Sequence, residues 1–247
     1  MDDKFLQSRL ADLAGQSDRR DIYTFSDFLS PSEAALVCAA AGRVPFRFWG
    51  GMEGCERCVA RFGDEERIGY EVPFPISILQ VTPLNEKFAD DLTHRDFLGA
   101  LMHLGIERST IGDILIRDNT AWICALDTVA PLIRDELTSV KRTTVSCLPV
   151  EQVPEEAAIR LEPQSLNIPS LRLDALIGRL YHLPRGKAKE LFAGKLVSIN
   201  GIVCTNESRQ PKEGDVISVR GHGRFRFTGL SGQTKKGRVV ADVEVYV

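Results

Sequence analysis

The residues with the clearest chemistry are cationic and lie toward the C-terminus. The stretch LPRGKAKELFAGKLVSINGIV, residues 183–203, carries Arg185, Lys187, Lys189 and Lys195 on and beside one short helix, and an Asn200-Gly201 turn follows at once. Arg172 and Arg179 stand seven residues apart, nearly two helical turns, and so share a flank of the preceding helix. Guanidinium groups bind phosphate oxygens bidentately, and folded RNA is recognised largely by shape, phosphates and 2′-hydroxyls. Arg172, Arg185, Lys187, Lys189 and Lys195 are therefore the leading candidates for RNA contact, with Arg179 and Asn200 beside them. Asp174 suits several roles: orienting an arginine, accepting from a ribose hydroxyl, or serving as an ordinary helix-surface carboxylate or cap. The plain alternative for the lysines is a solvated helix face.

The distribution of charge favours RNA. From Ile168 onward fourteen Lys/Arg stand against seven Asp/Glu, a net of +7; the preceding part holds seventeen against twenty-seven, a net of -10. Such asymmetry fits a nucleic-acid-binding module attached to an acidic body. Further along, RGHGRFRF alternates Arg224 and Arg226 with Phe225 and Phe227. Such rings can stack on bases, but alternation is the pattern of a strand with one buried face, which assigns both phenylalanines to a core.

Other chemistries find less support. Cys55 and Cys58 form CERC, yet no second pair or spaced histidine pair completes a zinc site. The surrounding GGMEGCERCVARF reads as a turn entering a strand, which does not suit a redox pair. The HRD at His94, Arg95 and Asp96 echoes a kinase catalytic loop, but Leu101 stands where Asn is required, and no glycine-rich loop or DFG is present. These three are read as the polar start of a helix, with RNA-facing exposure as the alternative, and His103 as a packing residue. Trp122 alone does not make an aromatic RNA-binding strand. No catalytic residue, metal or cofactor is expected.

These side chains need elements to position them. At 247 residues with 43% apolar and 26% charged content, the composition is that of a globular protein with one large or several small domains. The polar opening and the lack of a long apolar run predict a cytoplasmic protein without a membrane span. An α+β organisation is expected. Residues 1–74 form an α/β subdomain, in which Ser30, Pro31 and Glu33 start a helix that Gly42 ends. Residues 75–150 read as strand, helix, strand, strand, helix, strand, a ferredoxin-like, RRM-like order, with an Asp118-Asn119 hairpin and Asp127 capping the second helix. The acidic, proline-bearing 151–170 reads mainly as a linker, with a short strand as the alternative. Residues 171–247 supply two helices, the Asn-Gly hairpin and further strands.

The run LRLDALIGRLYHLPRGKAKELFAGKLVSINGIVCTNESRQPKEGDVISV resembles the small RNA-binding domain named after ribosomal protein S-four. Arg-Leu-Asp, a second helix opened by Arg, Gly-Lys-Leu-Val, Asn-Gly and Gly-Asp-x-Ile all stand at the family spacing. Pro184 departs from it, where Ser often caps the second helix. THRDFLGALMHLGIERSTIGDILI, RGHGRFRF and GQTKKGR extend the similarity to the bacterial YlmH family, whose relatives include the shorter RqcP proteins. The resemblance implies a ribosome-associated factor that contacts ribosomal RNA and tRNA on the large (50S) subunit, in quality control of stalled peptidyl-tRNA complexes, with a quality-control protein as a further partner. S-four-type domains also occur on pseudouridine synthases and RNA methyltransferases, but the Arg-Leu-Asp of residues 172–174 is consumed by the RNA-binding helix and no glycine-rich cofactor loop is present. A modifying enzyme, or a scaffold whose acidic body binds protein, stands as the alternative.

Overall fold

The structure, a computed structural model, describes residues 3–233 and 237–247; Thr234, Lys235 and Lys236 of the GQTKKGR motif lie outside the described residues. The fold is α+β, built on antiparallel sheets, and divides into two compact units at Ala158/Ile159. No described helix is long and apolar enough to cross a membrane.

The first unit opens with α1 (Asp3–Arg20), β1 (Thr24–Leu29), α2 (Pro31–Ala34), α3 (Val37–Ala41), β2 (Phe46–Trp49), β3 (Cys58–Phe62) and α4 (Glu65–Ile68). Leu6, Leu10 and Ala14 recur at helical spacing along α1 and pack on Leu29, Val37 and Phe62. The strands form a sheet of order β1-β3-β2. Ser30 and Glu33 make the expected reciprocal cap, but the helix they start stops at Ala34, and α3 carries the chain on to Gly42, at φ +60°.

There follow β4 (Ile76–Pro83), α5 (His94–His103), β5 (Ile111–Arg117), β6 (Thr120–Leu126), α6 (Ala130–Glu136), β7 (Ser139–Val140) and β8 (Thr143–Val150), whose sheet has the order β5-β6-β4-β8-β7. Asp118 and Asn119, at φ 46° and 60°, make the tight turn between β5 and β6. Phe97 and Leu101 of α5 and Ile133 of α6 are buried on one face of this sheet. On the other, Ile78, Trp122, Cys124 and Leu126 meet Phe28 and Val59 from the smaller sheet and Met52 from its β2–β3 connection. The position near 75 thus lies within one compact unit. Gly112 marks the closest approach, since a Cβ there would stand 2.6 Å from Phe28 Cε1. Asp127 does not cap α6: its Oδ1 accepts from the Ser77 hydroxyl at 2.6 Å, and Val129 occupies the cap position.

The second unit comprises β9 (Leu161–Ile168), α7 (Leu173–Leu180), α8 (Arg185–Ala193), β10 (Val197–Ile199), β11 (Ile202–Val203), β12 (Val216–Val219), β13 (Gly223–Gln233) and β14 (Val239–Tyr246), with sheet order β11-β10-β12-β13-β14-β9. The second half of the 151–170 segment is therefore a strand rather than a linker. Leu166 and Ile168 turn inward, and Pro163 is tolerated because β9 lies at the sheet edge. Leu173, Leu176 and Ile177 of α7 and Ala188 and Phe192 of α8 pack on Phe225, Phe227 and Val243, so both phenylalanines of RGHGRFRF are core. The α7–α8 corner is tight at Gly178, where a Cβ would lie 3.3 Å from the Leu183 carbonyl and 3.6 Å from Ala188 Cβ.

Candidate nucleic-acid interface

The start of α7 is held without a side-chain cap. The Leu173 and Asp174 amides donate instead to the carbonyls of Arg209 at 3.0 Å and Glu207 at 3.1 Å. That frees Asp174 for another task. Its side chain is only 3% exposed, and its two oxygens accept from Arg172 Nε at 2.9 Å and Nη2 at 3.0 Å, while Oδ1 also accepts from the Ala175 amide at 3.0 Å. A bidentate pair fixes the guanidinium plane as well as its position. The bond to Asp174 also pushes the Arg172 pKa further up, so its charge is permanent. Asp174 is an arginine-orienting residue here, with no exposed oxygen of consequence to offer a ribose.

Beside this pair lies a cleft of about 330 Å³ lined by Arg172, Arg179, Arg185 and Arg238. Its sole lining carboxylate is Asp174, already neutralised by Arg172. Arg179 and Arg185 are exposed, and among the described residues neither has a carboxylate in ion-pair range. Arg185 opens α8, whose N-cap is Pro184 and which lacks a side-chain cap bond. The departure at Pro184 leaves the first amides of that helix without a serine hydroxyl, and the positive end of the helix dipole adds to the arginines. The cleft thus combines guanidiniums with an open helix start, and the one carboxylate among its described lining residues is already paired.

The remaining sequence candidates lie elsewhere. Lys187 pairs with Glu190 at 2.8 Å and Lys189 with Glu207 at 2.7 Å, so along α8 Arg185 lines the cleft while both lysines are held in ion pairs. Lys195 is exposed at φ 56° and has no ion-pair partner among the described residues. Asn200 is spent on the hairpin: its Nδ2 donates to Asp215 Oδ1 at 2.8 Å and its Oδ1 accepts from the Val216 amide at 2.9 Å. Thus the cleft gathers Arg172, Asp174, Arg179 and Arg185, and not Lys187, Lys189, Lys195 or Asn200. Arg238 escapes sequence reasoning as a site residue, although it closes the GQTKKGR motif.

In the first unit, Asp96 bonds to the Thr93 amide at 2.8 Å and to Lys141 Nζ at 2.8 Å, which with the Thr93 hydroxyl hold its pKa at about 2. The HRD triplet is thus a capped helix start, while His103 is exposed rather than packed. Burial pushes the Cys58 thiol up to about 12, helped by Asp113 and Cys55, and a bond from Cys55, then burial, raises Cys124 as well. Protonated thiols of this kind are poor nucleophiles. Among the described residues no three His, Cys, Asp or Glu side chains gather where a metal could sit.

Residues 70–153 match a family model described as "Putative RNA-binding domain in YlmH". Over 222 residues the chain is 30% identical to "Ribosome-associated protein quality control protein P2" of Bacillus subtilis (strain 168), covering 86% of this chain and 83% of that one. It is also similar to the solved structure of "Cell division protein ylmH from Streptococcus pneumoniae", at 22% identity and a TM-score of 0.49, over 61% of this chain and 92% of that one. The segment matched by the family model holds seven Lys/Arg against twelve Asp/Glu, so it is acidic.

Proposed function

This chain belongs to the YlmH family, and from that premise we propose that it is a ribosome-associated RNA-binding factor that grips folded RNA through the arginine cleft of its second unit. One observation carries the reading. Four arginines line a single cleft, and Asp174, the one carboxylate among its described lining residues, is buried and bonded to Arg172. Phosphate groups fit it; a neutral or cationic ligand does not.

The finer reading follows the sequence resemblance. The RNA is ribosomal RNA and tRNA on the large subunit, in a cytoplasmic quality-control setting where peptidyl-tRNA is stalled and a protein partner acts. The printed name of the Bacillus subtilis relative supports it. The second unit is taken as an S-four-type domain, supported by two helices on an antiparallel sheet and a positive-φ Asn200-Gly201 turn. The strand order β5-β6-β4-β8 of the larger sheet in the first unit supports a ferredoxin-like assignment for 75–150. No catalytic step belongs to this role. Co-sedimentation with purified large subunits tests it directly. Specific, salt-sensitive binding is expected, and absence of binding at low salt would overturn the proposal.

A further inference from the structure

The first unit holds a second arginine arrangement, which the cleft does not explain. Arg47 and Arg61 face each other across β2 and β3 in the antiparallel register. Like charges directly opposite destabilise a sheet, so the pair needs a reason. The fold treats its two members differently. Arg61 is withdrawn, its side chain 4% exposed, with Tyr23 and Phe74 ring centroids at 4.8 and 5.0 Å and bonds to the Val72 carbonyl at 2.5 Å and Glu71 Oε1 at 3.0 Å. It straps the 71–74 segment across the sheet. Arg47 is left 74% exposed, its nearest carboxylate being the same Glu71 oxygen, 4.0 Å away and already bonded to Arg61.

Between edge strand β2 and the strapped segment runs a groove of about 370 Å³, within the size range of small-molecule sites. Arg47 and Trp49, two apart on β2, project from the face that carries Arg61 and form one wall, with Glu71 and Phe74 on the other. The Phe48 ring lies on the opposite face of the strand, edge-on to Phe46 at 5.4 Å. The groove therefore offers flat apolar rings beside an under-compensated cation, with a carboxylate able to accept a hydrogen bond opposite. An acidic peptide would satisfy Arg47 and leave the rings unused; an apolar peptide would do the reverse. A nucleotide supplies a planar base, a phosphate and amino or hydroxyl donors together.

We propose that this groove is a binding site for a nucleoside phosphate, the base against Trp49 and the phosphate on Arg47, which share one face of β2. Arg61 is a positioning residue that holds Glu71 and Phe74 in place. The site is independent of the cleft, which the test exploits.

Trp49 lies in the groove while Trp122 is 5% exposed in the core, so ligand-dependent quenching of the full chain's tryptophan emission reports on Trp49. Nucleoside 5′-monophosphates, a short oligoadenylate and oligouridylate, inorganic phosphate and an Asp-rich peptide are the probes. Saturable quenching by nucleotides or by the oligonucleotides is expected. A response to both points to a single-nucleotide site, and a response to the oligonucleotides alone to RNA as the source of the nucleotide. Arg47→Glu should weaken it by about tenfold, the size of one phosphate contact, with melting temperature unchanged, and Phe48→Ala, on the opposite face of β2, should leave it intact; Arg47→Ala serves if Glu at 47 unsettles the sheet. Arg185→Glu, which disables the cleft, should leave the quenching intact. No saturable response to any nucleotide probe, an equal response to the Asp-rich peptide, or indifference to Arg47 substitution would overturn the proposal.

Discussion

Arginines hold the first unit together and furnish the second. In the first, Arg57 donates to the carbonyls of Ile111 at 3.0 Å and Phe28 at 2.8 Å, and the Glu56 and Arg57 amides donate to the Asp113 carboxylate at 2.5 and 3.2 Å. Arg108 also reaches the Ile111 carbonyl. Arg57 thus pins the smaller sheet to the larger one while Arg108 braces the start of β5, and burial lowers both pKa values without removing the charge. In the second unit, Arg179 and Arg185 end in a cleft with no carboxylate of their own, and Arg172 is aligned by a buried aspartate. A guanidinium's task is read from its partners: backbone carbonyls absorb Arg57 as structure, and the open cleft leaves Arg179 and Arg185 available for the proposed phosphate contacts.

Predictions can break this contrast from either side. The largest effect is expected for Arg57→Ala, which strips donors from carbonyls between the sheets and should cost about 2–4 kcal/mol of stability. Denaturant melts check it, and RNA affinity should stay within about twofold once the protein is folded. A stable Arg57→Ala that loses RNA binding would reverse the assignment of that arginine. Next, Asp174→Asn should weaken RNA binding by about three- to tenfold, because Arg172 loses its charged, bidentate partner; unchanged affinity by fluorescence anisotropy would mean that Arg172 needs no orienting. The smallest effect belongs to Lys187→Ala and Lys189→Ala, whose ammonium groups already sit on Glu190 and Glu207. Exposed pairs are worth little, so stability and affinity should each move by no more than about twofold in equilibrium terms. A loss comparable to a cleft arginine's would show that both pairs open to reach RNA.

Local chemistry made much of this legible. The Asn200-Gly201 and Asp118-Asn119 turns, the inward faces of α5, α7 and α8, and the alternation that buries Phe225 and Phe227 all follow from spacings of a few residues. What failed was non-local. The partner of Lys189 is Glu207, eighteen positions on, and no periodicity announces it. β9 hid in an acidic, proline-bearing segment because its strand character comes from pairing with β14 along Leu161–Ile168. Asp127 looked like a cap, but Ser77, brought alongside by β4, claimed its side chain. The cleft was half legible: Arg172, Arg179 and Arg185 stood out as basic residues on helices, whereas the membership of Arg238 depends on β14 folding back beside β9.

The proposed RNA contact rests on the cleft arginines and not on basic charge at large. Arg185 and Arg209 isolate it, because both are exposed in the second unit, but only Arg185 lines the cleft. Binding to purified large ribosomal subunits is measured across salt concentrations for the wild type, Arg185→Glu, Arg185→Lys and Arg209→Glu, with circular dichroism confirming each fold. A loss of about 10- to 100-fold is expected for Arg185→Glu, with a log–log salt slope shallower by roughly 0.7–0.9 for each phosphate no longer neutralised, partial recovery with lysine, and a change within about twofold for Arg209→Glu. Equal losses at 185 and 209 would contradict it, leaving only a diffuse electrostatic field.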